Sequence, residues 1–257
     1  MQPFFFGTSQ EQIFGVYHAP EGRAARNAAV VLCHPLGHEY LRAHRAFRNL
    51  AVALAGQGFH VLRFDYFGSG DSGGHAQQTT VTRCVSDLSS AIQELKDISN
   101  ASKVSLIGLR LGATFAAHVA SNRNDIERLL LWDPVIDGKV YVSDLHALQR
   151  AWLVDRLGTS KAAGTSELIG FALTEAMRAE LESTQLTMFS RIKAKSVSLL
   201  ISGEPHAYAS LKNQFEQHPS ASCTIVAESN EWRRVEMVHQ ILLPHVMLRT
   251  IAASMCS

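Results

Sequence analysis

Two glycines four residues apart, Gly108 and Gly112, enclose Arg110 in the run Lys103-Val-Ser-Leu-Ile-Gly108-Leu-Arg110-Leu-Gly112-Ala-Thr-Phe-Ala-Ala-His118. The run opens with Val104 to Ile107, enough for one buried strand, and passes into a helical pattern with no room for a loop. A corner this tight lifts its central side chain out of the sheet. Glycine suits the flanking places because a Cβ there would collide with the neighbouring strand and helix. The lifted side chain here is a guanidinium. It has no lone pair with which to attack an acyl carbon and does not deprotonate in a protein, so serine–histidine–acid chemistry is closed at this position. Holding an oxyanion or a carboxylate remains open to it. The plain alternative is a chance glycine pair at a strand–helix junction.

Other residues could also do chemistry. His34 and His38 stand four apart like a metal-binding pair, but Pro35 and Gly37 oppose a helix there and no third ligand is evident, so no metal is expected. For these two histidines the choice lies between turn hydrogen bonding and ligand contact. Asp65-Tyr-Phe-Gly68-Ser-Gly70-Asp-Ser72 resembles a phosphate loop in its glycine content, yet lacks the Gly-x-x-x-x-Gly-Lys pattern. It reads as a structural turn, which makes Ser69 and Ser72 poor nucleophiles.

The elements that must position these groups alternate. Phe4 to Phe6 and Gln12 to His18 form a first hairpin, and Ala28 to Cys33 a buried strand that ends at His34. Phe47, Leu50, Ala51 and Leu54 mark one helical face, closed by Gly56-Gln-Gly58. Phe59 to Phe64, Val104 to Ile107, Arg128 to Trp132, Val197 to Ser202 and Ser222 to Ala227 read as further strands, with a helix over Thr80–Ile98 and others at Ala209–Gln217 and, broken near Pro244, Arg234–Ala253. Between residues 137 and 195 the periodicity is helical with no convincing strand, as in an insertion. Strands alternating with helices predict an α/β protein with a mostly parallel sheet covered on both faces. Ligands in such sheets sit at the carboxyl ends of the strands, here at His34, Asp65, Arg110, Asp133, Glu204 and Glu228.

The chain has 257 residues, 46% hydrophobic and 18% charged, with a formal net charge of +1. No Lys/Arg cluster is present, which argues against nucleic acid or an anionic membrane as the main partner. The four cysteines are scattered, as isolated thiols of a reducing compartment would be. The start, Met1-Gln-Pro-Phe-Phe-Phe-Gly7, is too short for the apolar core of a signal peptide. No apolar run approaches the ~20 residues of a membrane span. A cytoplasmic protein is expected.

Taken together, these pieces resemble the α/β-hydrolase fold over essentially the whole chain, an eight-stranded, mostly parallel sheet with helices on both faces and a helical cap. The resemblance implies a core of residues 1–136 and 196–257 and a cap over 137–195. Gly108 to Gly112 then matches the Gly-x-Ser-x-Gly nucleophile elbow, with Arg110 in place of the serine. More narrowly, Glu39-Tyr-Leu-Arg-Ala-His-Arg-Ala-Phe-Arg48, Phe64 to Ser72, Gly108 to Ala113, Leu131-Trp-Asp-Pro-Val135 and Gly170 to Leu181 are similar to hydrolase-like proteins associated with exosortase and exopolysaccharide gene clusters, near the serine-aminopeptidase-like branch. In that group Arg at the elbow looks like a shared trait.

The resemblance implies oxyanion donors at Leu36, in the turn after His34, and at Leu111. It places the acid of a triad at Asp133 or near Glu204, and the base at His239, with His245 the less favoured choice and expected against the sheet. Arg110 is expected at positive φ, reaching Asp133 or Glu204 and lying near His239. That pair is either a structural salt bridge or the floor of an anion-selective pocket. Two functions stay open, both without a cofactor. One is an enzyme acting on an acyl or carboxylate-bearing intermediate of a biosynthetic pathway without a serine nucleophile. The other is a catalytically inactive pseudo-hydrolase that binds or scaffolds. The partner expected is a small acyl or carboxylate-bearing ligand, with no nucleic acid and no membrane span, and a homodimer is admitted.

Overall fold

The computed structural model describes residues 1–22, 24–157, 167–186, 192–202, 208, 211, 220–228, 232 and 242–256. Its strands are β1 (Gln2–Gly7), β2 (Gln12–His18), β3 (Ala28–Cys33), β4 (His60–Phe64), β5 (Lys103–Leu109), β6 (Ile126–Trp132), β7 (Glu167–Leu168), β8 (Phe171–Ala172), β9 (Ser196–Ser202) and β10 (Ala221–Val226). The helices are α1 (Gly37–Gly56), α2 (Val81–Ser99), α3 (Leu111–Asn122), α4 (Gly138–Leu157), α5 (Glu175–Ser183) and α6 (His245–Ser254).

Eight strands make one sheet in the order β1-β2-β4-β3-β5-β6-β9-β10. β2 runs antiparallel to both β1 and β4, and every later pairing is parallel. This is the mostly parallel, doubly covered sheet that the strand series anticipates. The central strands are apolar on both sides, as burial on two faces requires. In β3, Ala29, Val31 and Cys33 face one layer while Val30 and Leu32 face the other. β6 divides in the same way, Leu129 and Leu131 against Leu130 and Trp132. The first layer is closed by α2 and α3 through Leu88, Ile92, Phe115 and Val119, and the second by α1 and α6 through Phe47, Leu50, Leu54, Met247 and Ile251.

Three local expectations change. α1 begins at Gly37, so His38, Glu39 and Tyr40 belong to its first turn and not to the loop after β3. Gly37 makes this possible by taking φ +63° beside the side chain of Phe171, where a larger residue would be strained. Residues 137–195, read as free of strands, contain the hairpin β7–β8 between α4 and α5. Two-residue strands are too short to leave a periodicity. Neither joins the main sheet, in which β6 pairs directly with β9. Third, His245 is exposed at the start of α6 and does not pack against the sheet. The expected helix over residues 209–217 lies outside the described residues. No helix among the described residues is long and apolar enough to cross a membrane.

Candidate functional site

The corner between β5 and α3 holds Arg110 at φ 54° and ψ −123°, a region that side chains other than glycine rarely adopt. Such a conformation costs roughly 1–3 kcal/mol and persists only where the surroundings enforce it. They do so through the backbone: the Arg110 amide donates to the Trp132 carbonyl at 3.0 Å, and the Arg110 carbonyl accepts from Ala113 N–H at 3.0 Å. The flanking glycines permit the corner. A Cβ on Gly108 would meet the backbone of Ala113 at 2.5 Å, and one on Gly112 would overlap the carbonyls of Cys33 and His34.

From this corner the guanidinium turns to Glu39, in the first turn of α1. Arg110 Nε donates to Glu39 Oε1 at 2.8 Å, and Tyr141 of α4 donates from its hydroxyl to Glu39 Oε2 at 3.2 Å. Arg110 Nη1 donates to the backbone carbonyl of Asp133 at 3.2 Å, and the guanidinium carbon lies 5.7 Å from the centre of the Tyr141 ring. The Glu39 side chain is 1% exposed and that of Arg110 13%. Burial is the largest single influence and would lower the Arg110 pKa, but Glu39, Tyr208 and Tyr141 together outweigh it and hold the pKa above its ordinary value. Burial pushes the nearby Tyr208 hydroxyl pKa up, and the Arg110 charge opposes that push.

The carboxylate partner is therefore Glu39 and not Asp133. Asp133, at φ 42° just after β6, commits its carboxylate to other donors. It accepts from Ser202 N–H at 2.7 Å, from the Ser202 hydroxyl, and from Trp232 Nε1 at 3.2 Å. Burial raises its pKa against those hydrogen bonds. Arg110 hydrogen-bonds Asp133 through the main-chain carbonyl, while its charge opposes the rise that burial causes in the carboxylate's pKa. Glu204 and His239 lie outside the described residues.

His34 is buried away from the corner among Tyr40, Phe47, Phe64 and Tyr66. Its Nε2 is 3.7 Å from Asp65 Oδ1, and burial pulls its pKa down to about 4, so the ring is neutral at pH 7. Asp65 also accepts from the Tyr40 hydroxyl at 2.9 Å and from Asp71 N–H at 3.0 Å. Ser72 ties the loop down, donating to the Asp65 carbonyl at 2.6 Å and accepting from Phe14 N–H at 2.8 Å. These bonds fold the loop on itself, and its Gly68 and Ser69 border the cavity beside the Arg110 corner. No group of three or more His, Cys, Asp and Glu side chains among the described residues is arranged to hold a metal ion.

Beside the corner lies a cavity of about 100 Å³. Leu36, His38, Leu111 and Tyr141 border it on the side of the strand ends, and Leu145, Leu168, Phe171, Leu173, Met177 and Leu181 supply its apolar wall from residues 137–195. Three of the four residues expected at a ligand, Leu36, His38 and Leu111, come together here, whereas His34 does not. Leu36 caps the start of α1 and Leu111 opens α3, at helix ends where N–H groups lack partners within the helix.

Two members of the cluster escape sequence reasoning. Tyr141 lies in a stretch with no strong amphipathic pattern. Glu39 does leave a signal: extending the buried stripe of α1 backwards from Leu54 through Leu50, Phe47 and Ala43 lands on position 39. A charged residue on that stripe is an acid that must find a buried partner.

The comparisons with known proteins follow the same lines. The chain resembles several solved structures along almost its full length. One is a proline iminopeptidase from Mycobacterium smegmatis, at 12% identity and TM-score 0.64, covering 98% of this chain and 97% of that one. Another comes from work on carboxylesterases of the ammonia-oxidizing thaumarchaeon Nitrososphaera gargenis, at 14% identity and TM-score 0.64, with 98% and 97% covered. A third is the thioesterase domain from the curacin biosynthetic pathway, at 18% identity and TM-score 0.60, with 99% of each chain covered. No curated protein shows a significant match. At these identities the likenesses concern the fold. The family model described as serine aminopeptidase, S33, matches residues 24–209, and with the sheet order and the β5–α3 corner this makes the chain a member of that α/β-hydrolase family.

Proposed function

We propose that the chain binds the acyl group of a biosynthetic intermediate in the cavity beside Arg110 and leaves it unhydrolysed, as a pseudo-hydrolase. One observation carries the reading. Where the fold presents a nucleophile, the chain has an arginine already engaged by the buried Glu39, while Leu36 and Leu111 beside it still border an apolar cavity. The ligand's carbonyl oxygen sits at the Leu36 and Leu111 amides, the placement that favours a developing or partial negative charge. Its acyl chain lies along Leu145, Phe171 and Met177. Residues 137–195 act as the cap that roofs the cavity over the core formed by 1–136 and 196–257.

Without a nucleophile, Asp133, Glu204 and His239 have no hydroxyl to activate. Asp133 serves the fold through Ser202 and Trp232. The similarity of Arg110 and its neighbours to exosortase-associated hydrolase-like proteins supports a place beside a biosynthetic cluster. The scattered cysteines, none of them in a disulfide, support a reducing, cytoplasmic setting.

The test uses the octanoyl thioester of N-acetylcysteamine and a fluorophosphonate probe. Calorimetry is expected to show saturable binding, mass spectrometry to recover the thioester intact, and the probe to leave every serine unlabelled. Turnover of the thioester, or stoichiometric labelling of one serine, overturns the reading.

A further inference from the structure

The Arg110–Glu39 pair bears on which acyl compounds the cavity accepts. A lone arginine at its edge would make the cavity a carboxylate site, since guanidinium and carboxylate match as a two-point pair. Here the carboxylate is built in. Glu39 takes Arg110 Nε, the Asp133 carbonyl takes Nη1, and the Tyr141 hydroxyl occupies the second oxygen of Glu39. Arg110 and Glu39 together carry no net charge. No Lys, Arg, Asp or Glu occurs among the described residues that line the cavity. A free carboxylic acid entering as its anion would lose its water shell in an apolar site, with no uncompensated cation beside it to offset that cost. A neutral carbonyl needs only the two amide donors.

We infer that Glu39 is a specificity-determining residue that reserves the cavity for neutral acyl derivatives, such as amides, esters or thioesters, and excludes the free acid. The inference rests on the acyl-binding reading above. It adds a direction to that reading, because the hydrolysis product of such a derivative would be the species the site rejects. The reaction class that supplies the ligand is then acyl activation, which converts an acid into a neutral derivative.

Octanamide and octanoate at pH 7.5 test this, because they have nearly the same shape and differ in charge. The wild-type protein is expected to bind octanamide at least tenfold more tightly by calorimetry. Glu39→Gln leaves the Arg110 charge uncompensated and is expected to shift the ratio at least tenfold toward octanoate. Adding Arg110→Met to Glu39→Gln is expected to restore the preference for the amide, with circular dichroism confirming the fold of each variant. Equal binding of the two ligands by the wild type overturns the inference even if Glu39→Gln does not fold. An unchanged ratio in a folded Glu39→Gln overturns it as well and leaves the acyl pocket standing. Failure of the wild type to bind either ligand overturns both the pocket and the inference.

Discussion

Arg110 and Glu39 meet at 2.8 Å across a separation of 71 residues, joining the β5–α3 corner to the first turn of α1. Tyr141 brings α4 to the same carboxylate. The strained corner, the helix that follows β3 and α4 therefore share one buried charge pair. Such a pair is a weak source of net stability, because desolvation of both ions offsets most of their attraction. Breaking it is another matter.

Replacing Glu39 with Gln or Leu is expected to destabilise the protein by about 3–5 kcal/mol, since a buried guanidinium loses its counter-charge. Arg110→Met should cost about as much for the converse reason. The double variant Arg110→Met, Glu39→Leu should lose far less than the sum of the two single losses, because it leaves no orphaned charge. Urea unfolding of the four proteins closes the cycle. Additive losses would show that the two side chains do not act as a pair.

The strain at the corner can be separated from the charge. Arg110→Ala and Arg110→Gly both remove the guanidinium, but only glycine is at ease at φ 54° and ψ −123°. In a Glu39→Leu background the glycine variant is expected to be the more stable by about 1–3 kcal/mol despite its more flexible unfolded chain. Equal midpoints in thermal unfolding would mean that the corner stores no strain.

How much of this is legible in the sequence follows from the range over which each feature is encoded. The corner is local: an apolar run, two glycines and a helical pattern within sixteen residues, and its positive φ follows from the same spacing. The sheet is legible because its central strands are buried on both faces and read as continuous apolar runs. Glu39 is not legible in that way, since an acid in the first turn of a helix ordinarily reads as a solvated partner of the helix dipole. Only its place on the buried stripe of α1 distinguishes it. Asp133 misleads for a related reason. Its position at a strand end is right for Arg110, but Ser202 and Trp232, far along the chain, take its carboxylate.

The glycines make opposite predictions at two places. A Cβ on Gly112 would run into the carbonyls of Cys33 and His34, which are backbone and cannot swing aside. Gly112→Ala is expected to cost about 3 kcal/mol or more, the upper range for overpacking. Gly56, at the end of α1, has nothing within 4 Å of the added methyl group. Gly56→Ala should stabilise the protein by about 0.5–1 kcal/mol, the helix-propensity difference. Thermal unfolding of the two variants checks both signs.

The last prediction concerns acid. His34 is buried among four aromatic rings, and burial lowers its pKa to about 4 from an ordinary value of 6.5. In the unfolded chain His34 takes up a proton as the pH falls through 6.5, whereas in the folded protein it stays neutral until about 4. The unfolded state thus binds more protons throughout that window, and stability falls as the pH falls. The contribution is fully present above pH 6.5 and lost by pH 4, where both states are protonated. At 1.36 kcal/mol per unit it amounts to about 3 kcal/mol, an order-of-magnitude figure. His34→Gln keeps a polar side chain but removes the titration. Urea midpoints measured from pH 7.5 to 4.5 should slope less steeply in this variant, with about one proton fewer taken up on unfolding near pH 5. His18, half of the same story at the β2–β4 edge and likewise lowered to about 4, is unchanged in the variant, so some slope must remain. Parallel curves for wild type and His34→Gln would show that His34 takes up its proton over the same pH range folded and unfolded, so that Asp65, 3.7 Å away, offsets the effect of burial.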